Sequence, residues 1–582
     1  MLFSVPAPAV PPASGMPGFI PPKEAVFRPF GSEVFDEARV RHVPVFLIIG
    51  DIPSACRDAS VSMQLSERTV PCQLLPGMRP DVELLCQRAG ALFSGEGALP
   101  LCALLLDDAR PFLAAPLPPA GFPADPSRLY VWLSQADRRF AQNLPALTGQ
   151  SAEVFRSFRV PPLRKPYSPQ DAAHDLLRNL LALEDPKNGG FGDIKAPFVC
   201  ALRFLHHAGK AQGAHAALTR ALDAMLASSL YDPLDGGFFR SCLTDDWRVF
   251  VPEKPLALNA LLALTLLETG RRSEAVRTLD FLLASCSLPG GGFTPVLTAP
   301  RESFSFSTEQ VCAALGQEDG LRASRLLNLR RQHAGRPPKV TPSRFSPVED
   351  EKKAEDAPAL PPVRSARLTP EDEAFLHRVT PALLRVRAAR TAARPAPILL
   401  CEDCALAAAV FAHCGRRLGE ARYTQAAQRA VSHLISLPTG GTWPMGLVPS
   451  YAPVSPLHAL PTCGANAALA LALLLLGQND PEYCAAGLRL LGASLHTFVR
   501  EDGMPMHTPQ DAADFFPRIP ALFDGELPSP AALLTACLRL ADKLRPEAGY
   551  ADAVRTLWDA AAPTVYSQPL ACLSLVDAML TP

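Results

Sequence analysis

The sequence predicts a two-domain protein in which a small α/β domain precedes a large, wholly helical domain. Near the N-terminus, the continuous apolar run from Val45 to Gly50 follows an amphipathic segment. Such a run is typical of a strand buried on both faces. From about residue 168 onward, apolar segments of roughly 12 to 18 residues alternate with turns rich in glycine and proline, which indicates paired helices.

Length and composition agree with two folded units and limit the classes of partner. A chain of 582 residues is too long for a single hydrophobic core. Its 56 basic and 57 acidic residues nearly cancel, so we expect no nucleic-acid partner. The longest apolar run, at 467–476, is about half the length that crosses a bilayer, and the N-terminus lacks a signal-peptide pattern. We therefore expect no membrane partner.

The cysteines predict a reducing environment. There are 15, an odd number without the regular spacing of a disulfide framework, and most lie inside apolar runs. This pattern is typical of reduced thiols in the core of a cytoplasmic protein. We expect no metal or cofactor.

The secondary-structure elements of the N-terminal part of the chain can be predicted in order. Residues 1–22 are rich in proline and alanine and are predicted to form a flexible tail before an α/β domain at 23–150. Within this domain we expect a helix from Glu33 to Arg41, the buried strand, and a hairpin. The hairpin is predicted from a second apolar run, Pro100–Leu106, an acidic turn and a returning strand at Phe112.

The remainder predicts a ring of helical hairpins at 165–582, with a flexible, proline-rich and charged insertion at 334–372. The expected helices are 169–184, 197–208, 212–228, 254–269, 272–286, 404–417, 421–436, 463–477, 481–499, 529–543, 547–561 and 567–580.

Several short motifs occur in the order found in one known family. FRPFGSEVF at 27–35, RPD at 79–81 and GALPL at 97–101 lie in the first domain. GGFG at 189–192, the ungapped block from Tyr231 to Asn259, and Asp524-Gly525 with Pro528-Ser529 lie in the second. In these motifs the chain resembles the family of spermatogenesis-associated protein 20 and its bacterial relatives.

The resemblance implies a fold for each domain. The first would be thioredoxin-like, with Pro100 as its cis-proline. The second would be an (α/α)6 toroid of the six-hairpin glycosidase type, related in fold to glycosidases and sugar epimerases.

The resemblance also implies that the redox chemistry is lost. Where the family has a C-H-W-C motif, this chain has DIPSACR at 51–57. With a one-residue deletion, Cys56 takes the second cysteine position and Pro53 the first; without it, Ser54 and Arg57 replace both. Neither alignment leaves the pair that thiol–disulfide exchange requires. We expect Cys56 to be a packed thiol, the alternative being a monothiol redox site.

The toroid departs from the family in its polar residues as well. Phe239 stands in place of a histidine, and Phe250-Val251-Pro252-Glu253-Lys254 stands where the family has P-H-F-E-K. Thr298-Ala299-Pro300, Asp403-Cys404 and Thr462-Cys463-Gly464 replace other polar elements. The polar residues that remain are candidates for a site. Glu253 and Asp524 are the catalytic candidates, and Asp232, Arg240, Trp247, Lys254 and Asn259 are the candidates for binding.

Each candidate has a structural alternative. Glu253 and Lys254 could cap a helix that begins near Pro255, and Trp247 could be a core residue. Cys401 and Cys404 form a lone C-x-x-C, for which we expect buried thiols and neither a zinc ligand nor a redox role.

Three functions therefore remain open. The first is a non-redox binding or scaffold protein, with a sugar, another small molecule or a protein as partner. The second is a residual carbohydrate-active enzyme that uses Glu253 in the toroid cavity with Asp524 or Asp232. The third is a redox protein that uses Cys56 or the 401/404 pair.

Overall fold

The computed structural model divides the chain into two compact units. The N-terminal unit comprises Met1–Ser157, Ser343–Pro347 and Asp514–Pro517, and the helical unit comprises Phe158–Pro342, Val348–Ala513 and Arg518–Pro582. The predicted tail at 1–22 lies outside the described residues. These are 25–119, 122–192, 195–209, 211, 213–329, 345, 361–364, 368–390, 394–395, 398–437, 447–452, 460–510 and 516–581.

The N-terminal unit is a mixed five-stranded sheet with helices. Its elements are β1 Arg28–Pro29, α1 Ser32–Arg41, β2 Val45–Ile49, α2 Ala59–Arg68, β3 Val70–Leu74, α3 Pro80–Ser94, β4 Leu101–Leu105, β5 Pro111–Pro116, α4 Pro126–Gln142 and α5 Leu144–Arg156. The strand order is β1-β3-β2-β4-β5, with β1, β3 and β2 parallel and with β4 and β5 antiparallel to their neighbours. The predicted first helix, buried strand and hairpin are thus confirmed.

The position of the central strand, β2, accounts for its apolar sequence. All five residues of β2 are buried, because the strand has a neighbour on each side and helices on its faces. Gly50 follows it with φ +132°, and a Cβ there would lie 2.6 Å from the Cβ of Pro100. Only glycine fits at this contact. The Leu99–Pro100 peptide is cis, as predicted.

Part of the predicted flexible insertion lies in the core of the N-terminal unit. Phe345 is fully buried and packs edge-to-face on Trp132, with ring centroids 5.8 Å apart. Its carbonyl accepts a hydrogen bond from the backbone N–H of Asp125, at 2.7 Å. Most other residues of 334–372 lie outside the described residues. The C-terminal boundary was predicted too late, since a capped helix begins at Pro370.

The helical unit contains the predicted ring of six hairpins. The inner helices are α7 Val199–Ala208, α9 Leu256–Glu268, α15 Cys401–Leu418, α17 Cys463–Leu476, α19 Pro530–Leu544 and α21 Leu573–Leu580. The outer helices are α6 Pro169–Ala182, α8 Ala214–Leu226, α10 Arg272–Cys286, α16 Ala421–Ile435, α18 Pro481–Phe498 and α20 Tyr550–Ser567.

The ring is closed. Each inner helix packs against the next in the order α7, α9, α15, α17, α19 and α21, and α21 packs back on α7. Each outer helix packs on an inner one. Because inner and outer helices alternate along the chain as antiparallel neighbours, the inner helices run parallel and their N-terminal ends meet at one end of the ring. The six-hairpin toroid predicted from the sequence is thus confirmed.

The remaining elements lie between the second and third hairpins or beside the inner helices. The helices are α11 Arg301–Phe304, α12 Thr308–Leu315, α13 Gln317–Leu326 and α14 Pro370–Ala388, and none of them was predicted. The strands are β6 Glu253–Pro255, β7 Val296–Thr298, β8 Arg394–Pro395, β9 Leu399–Leu400 and β10 Tyr451–Ala452. No helix in the described ranges is both long and apolar enough to cross a membrane.

We predict that Phe345→Ala destabilises the N-terminal unit by about 3–5 kcal/mol, because it empties a buried aromatic site. Tyr130→Ala is the matched control, since Tyr130 lies on the exposed side of α4. Hydrogen exchange of the β2 amides in the full chain measures the effect. Equal protection in the two variants would show that Phe345 does not hold the unit together.

Candidate functional site

Two of the predicted binding residues form a buried ion pair. Lys254 Nζ lies 2.8 Å from a carboxylate oxygen of Asp232, and both side chains are 1% exposed. Arg387, on α14, contacts the same carboxylate at 2.6 Å. Burial alone would raise the pKa of Asp232, but the charges of Arg387 and Lys254 outweigh it and hold this pKa well below its usual range. The charges of Asp232, Lys254 and Arg387 are thus paired with one another.

The same ion pair recurs in the preceding hairpin. The segment DPKNGGF at 185–191 matches DPLDGGF at 232–238. In the first copy, Lys195 Nζ lies 2.8 Å from Asp185 and 3.1 Å from the Gly189 carbonyl oxygen. In the second, Lys254 Nζ lies 2.8 Å from the carbonyl oxygen of Gly236. Because the same ion pair occurs at two equivalent turns, we interpret it as an interaction that stabilises the turn.

Asn259 also has a counterpart. Its side-chain oxygen accepts the Phe238 N–H at 2.6 Å, and its amide nitrogen donates to the carbonyls of Phe238 and Pro255. Asn466, two inner helices further on, makes the same three bonds to Val448 and Thr462. In both places an asparagine in the first turn of an inner helix fixes the loop that precedes it.

Trp247 is buried, with 3% of its surface exposed. Its indole N–H donates to the Asn188 carbonyl at 2.9 Å, and its ring lies over Gly190, where a Cβ would approach it to 2.7 Å. This is the environment of a core tryptophan. A ligand role for Trp247, Asn259, Asp232 or Lys254 stays a prediction without a contact to support it.

Arg240 joins two sides of the ring. Its Nε donates to Glu253 at 2.5 Å, and its Nη1 forms an ion pair with Glu526. Glu253 precedes α9 and Glu526 precedes α19, which stand opposite each other among the six inner helices. Neither Glu253 nor Lys254 caps α9 with its side chain. Glu253 therefore holds Arg240 in place across the N-terminal end of the ring.

The second catalytic candidate, Asp524, accepts hydrogen bonds from its own neighbourhood. The backbone N–H of Ser574 donates to it at 2.8 Å and that of Ser529 at 3.0 Å, and the Ser574 hydroxyl donates as well. Burial raises the pKa of Asp524 to about 6, although the hydrogen bonds from Ser574 and Ser529 oppose the rise. The arrangement ties the start of α19 to the start of α21.

Two acids that are not among the predicted site residues lie at the same end as Arg240. Glu402 and Asp403 lie in the first turn of α15, and both are partly exposed. The charges of Glu526 and Arg240 act on Asp403, and that of Asp403 acts on Glu402. We call Arg240, Glu253, Glu402, Asp403 and Glu526 the mouth cluster.

Gly464 makes room for Glu402. A Cβ at Gly464, in the first turn of α17, would lie 2.1 Å from Glu402 Oε2. The carboxyl group of one inner helix therefore rests on the backbone of the next. The sequence contains part of this signal, since Asp403-Cys404 and Cys463-Gly464 lie at the starts of two predicted helices. Only the ring shows that they are neighbours.

The electrostatics of the mouth cluster suit proton transfer. Burial raises the pKa of Glu402 to about 8, and the charge of Asp403 adds to the rise. Burial raises the pKa of Asp403 to about 7, with Glu526 adding to the rise and Arg240 opposing it. Glu402 and Asp403 are neighbouring acids, and the charge of Asp403 disfavours ionisation of Glu402, so ionising both together is unfavourable. At neutral pH the pair Glu402/Asp403 can both give and take a proton.

The predicted redox positions lie in apolar surroundings. Cys56 belongs to the core of the N-terminal unit and is 2% exposed, and burial raises the pKa of its thiol to about 12. Cys401 and Cys404 are buried too, and burial raises both pKa values, that of Cys404 to about 12. A thiol with such a pKa is protonated at neutral pH and is a poor nucleophile. All 15 cysteines lie among the described residues, and none of them forms a disulfide.

Comparisons with known proteins give distant similarities. No protein-family profile matches the chain. A curated relative, the uncharacterized protein B0495.5 of Caenorhabditis elegans, is 25% identical over 260 residues, which is 39% of this chain and 34% of that protein. The chain thus matches about a third of the length of this relative.

Solved structures similar to the chain include three proteins with 10–12% sequence identity to it. Cellobiose 2-epimerase from Bacillus thermoamylovorans has a TM-score of 0.39 over 67% of this chain and 86% of its own. For D-mannose isomerase the TM-score is 0.41 over 69% and 88%. For a family 76 glycoside hydrolase from a bovine Bacteroides thetaiotaomicron strain it is 0.40 over 71% and 77%. The ring of six hairpins is defined by the contacts between its own helices.

We predict that Asp232→Ala destabilises the helical unit by about 3–5 kcal/mol, because it leaves Lys254 buried without its counter-charge. Asp223→Ala is the control. Its ion pair with Arg271 lies at the surface, where the Asp223 side chain is 64% exposed, so its loss should cost less than about 1 kcal/mol. Chemical denaturation of the full chain measures both changes. Equal losses would show that the buried pair contributes no more than a surface pair.

We predict that Glu402→Gln becomes more stable relative to the unaltered protein as the pH rises. The folded protein keeps a proton on Glu402 up to about pH 8, whereas the unfolded chain releases it near 4.5. Between these values the unfolded state binds fewer protons, so ionisation at Glu402 lowers stability by up to ~1.4 kcal/mol per pH unit. Denaturation at pH 5, 6.5 and 8 measures the trend. The exposed Glu547→Gln serves as control, and a pH-independent difference would contradict the environment described for Glu402.

Proposed function

We propose that the helical unit is a carbohydrate-active enzyme whose mouth cluster binds a sugar-like ligand and transfers protons to and from it. One observation carries the proposal: Arg240 pairs with Glu253 and Glu526, and the adjacent acids Glu402 and Asp403 lie at the same end of the inner ring. The sequence resemblance to a family whose toroid is related to glycosidases and sugar epimerases supports a sugar as the ligand.

The roles follow from the environments of the acids. Glu402, with the higher pKa, is the group that holds a proton at neutral pH and can donate it. Asp403 is close to half ionised there and can accept one. Glu253 and Glu526 stay paired with Arg240, which places its positive charge beside Asp403. This makes Glu253 a positioning residue in the proposed site, whereas the sequence predicts it as an acid or base.

A second candidate is the binding or scaffold protein expected from the sequence. The observation that favours it is that the predicted catalytic acids are engaged internally. Glu253 pairs with Arg240, Asp524 accepts three hydrogen bonds from Ser529 and Ser574, and Asp232 is held between two cations. If this is the function, a sugar binds at the mouth cluster and leaves unchanged.

For the N-terminal unit we propose a thioredoxin-like domain without dithiol chemistry, in keeping with the family resemblance. Its strand order and the cis peptide before Pro100 support the fold. The burial of Cys56 among apolar side chains supports the loss of redox chemistry, because the thiol is protonated and out of reach of a partner disulfide. An insulin-reduction assay with activity above buffer would contradict this part of the proposal.

The test of the enzyme proposal is a survey of mono- and disaccharides incubated with the full chain in D₂O and followed by NMR. Epimerisation or isomerisation incorporates deuterium at carbon, and hydrolysis releases a new reducing end. We expect turnover that falls at least ~100-fold in Asp403→Asn and Glu402→Gln and is unchanged in Glu547→Gln. Binding without turnover would favour the scaffold function. Neither binding nor turnover with any sugar would overturn both.

In the same assay, Gly464→Ala tests the position of the Glu402 carboxyl group without changing an acid. The added methyl occupies the position of the Glu402 carboxyl group, so we expect turnover to fall ~10- to 100-fold while the chain stays folded. Gly492→Ala on α18 is the matched control. A Cβ there meets nothing within 4 Å, and the change should stabilise the helix slightly without altering turnover.

A further inference from the structure

A second group of polar side chains lies at the other end of the ring. His206 and His207 are at the C-terminal end of α7, and Glu268 is the last residue of α9. One nitrogen from each imidazole and one carboxylate oxygen of Glu268 all lie within 4.8 Å of one another. The proposed function does not use these residues.

We propose that His206, His207 and Glu268 form a binding site for a divalent transition metal, with Zn²⁺ as the ion that suits them best. Two imidazoles and a carboxylate are a common ligand set for zinc, with a further position open to water. Ligand atoms around tetrahedral zinc stand roughly 3.4 Å apart. The three atoms are already within 4.8 Å of one another, so side-chain rotations that move them by about 1 Å would bring them to this spacing.

The surroundings of His207 orient it for this role. Its Nδ1 lies 2.7 Å from Oδ1 of Asp577, on α21. A carboxylate bonded to one imidazole nitrogen fixes the ring and leaves Nε2 free for a metal, the arrangement that supports most histidine ligands. Asp577 would thus act as the outer partner of the site.

The remaining charges are compatible with a cation. Arg203 pairs with one oxygen of Glu268, at 3.0 Å, so the other oxygen remains available. The site lies where α7 and α9 end, and the C-terminal ends of helices favour positive charge. Nε2 of the nearby His413 is buried and has no hydrogen-bond partner among the described residues. The charge of Glu268 also acts on this histidine.

The place of the site in the ring suggests what a metal would do. α7 is the first inner helix and α21 the last, and the ring closes where they pack together. The three ligands join α7 to α9, and Asp577 joins the same group to α21. A bound ion would therefore hold together three inner helices at the seam and stabilise the folded ring.

The experiment is a Zn²⁺ titration of the full chain, with bound zinc measured by elemental analysis after dialysis and stability measured by thermal unfolding. We expect one equivalent of zinc and, at about 100 times the Kd, a rise of roughly 2–5 °C in the unfolding midpoint. In His206→Ala and Glu268→Gln both effects should disappear. Glu268→Gln keeps an oxygen for Arg203, so its fold should survive.

Zinc can also bind to cysteines, so the variants decide the outcome. His496→Ala removes an exposed histidine of α18 and is the control that should behave like the unaltered protein. Co²⁺ in place of Zn²⁺ should give weak visible bands of nitrogen and oxygen ligands without thiolate charge-transfer bands. Zinc binding that is absent, or equal in all variants, overturns the site. Neither result bears on the sugar assay.

Discussion

The closure of the inner ring is the constraint on which the helical unit depends. In α9, every residue except the terminal Glu268 is buried, and α17 is nearly as apolar around its circumference. A helix that is apolar on all sides needs partners on all sides. Its two neighbours in the ring and an outer helix supply them, and the first and last inner helices must meet for the end members to be covered as well.

Closure concentrates the loops at the N-terminal end of the inner helices, where polar groups are taken out of water. The chain handles them with repeated devices. Asn259 and Asn466 each fix the loop before an inner helix, and Lys195 and Lys254 each neutralise an aspartate within a glycine turn. Buried polar groups are tolerated when such partners satisfy them. Asn259 and Lys254, which the sequence offers as binding residues, thus also hold the loops in place.

The mouth cluster differs from these devices because its charges do not balance. Arg240 forms its ion pairs with Glu253 and Glu526, and no ion pair of Glu402 or Asp403 is found among the described residues, although the charge of Arg240 acts on Asp403. Holding two acids in this way costs stability whenever both are ionised. Strongly shifted pKa values cluster at functional sites, so Glu402 and Asp403 are better candidates for chemistry than the acids that form ion pairs.

The sequence by itself determined the helices of the ring and part of the N-terminal sheet. The apolar run of β2, the hairpin after Pro100 and the twelve helices of the ring follow from periodicity and turn residues, which are local properties of the chain. The helices from Arg301 to Phe304, from Thr308 to Leu326 and from Pro370 to Ala388 were missed, because they are short or adjoin a proline-rich, charged segment without a helical pattern. Only tertiary structure decided which polar residues meet. Glu402, Asp403 and Gly464 are far from Arg240 and Glu526 in sequence, and ring closure alone brings them to one place.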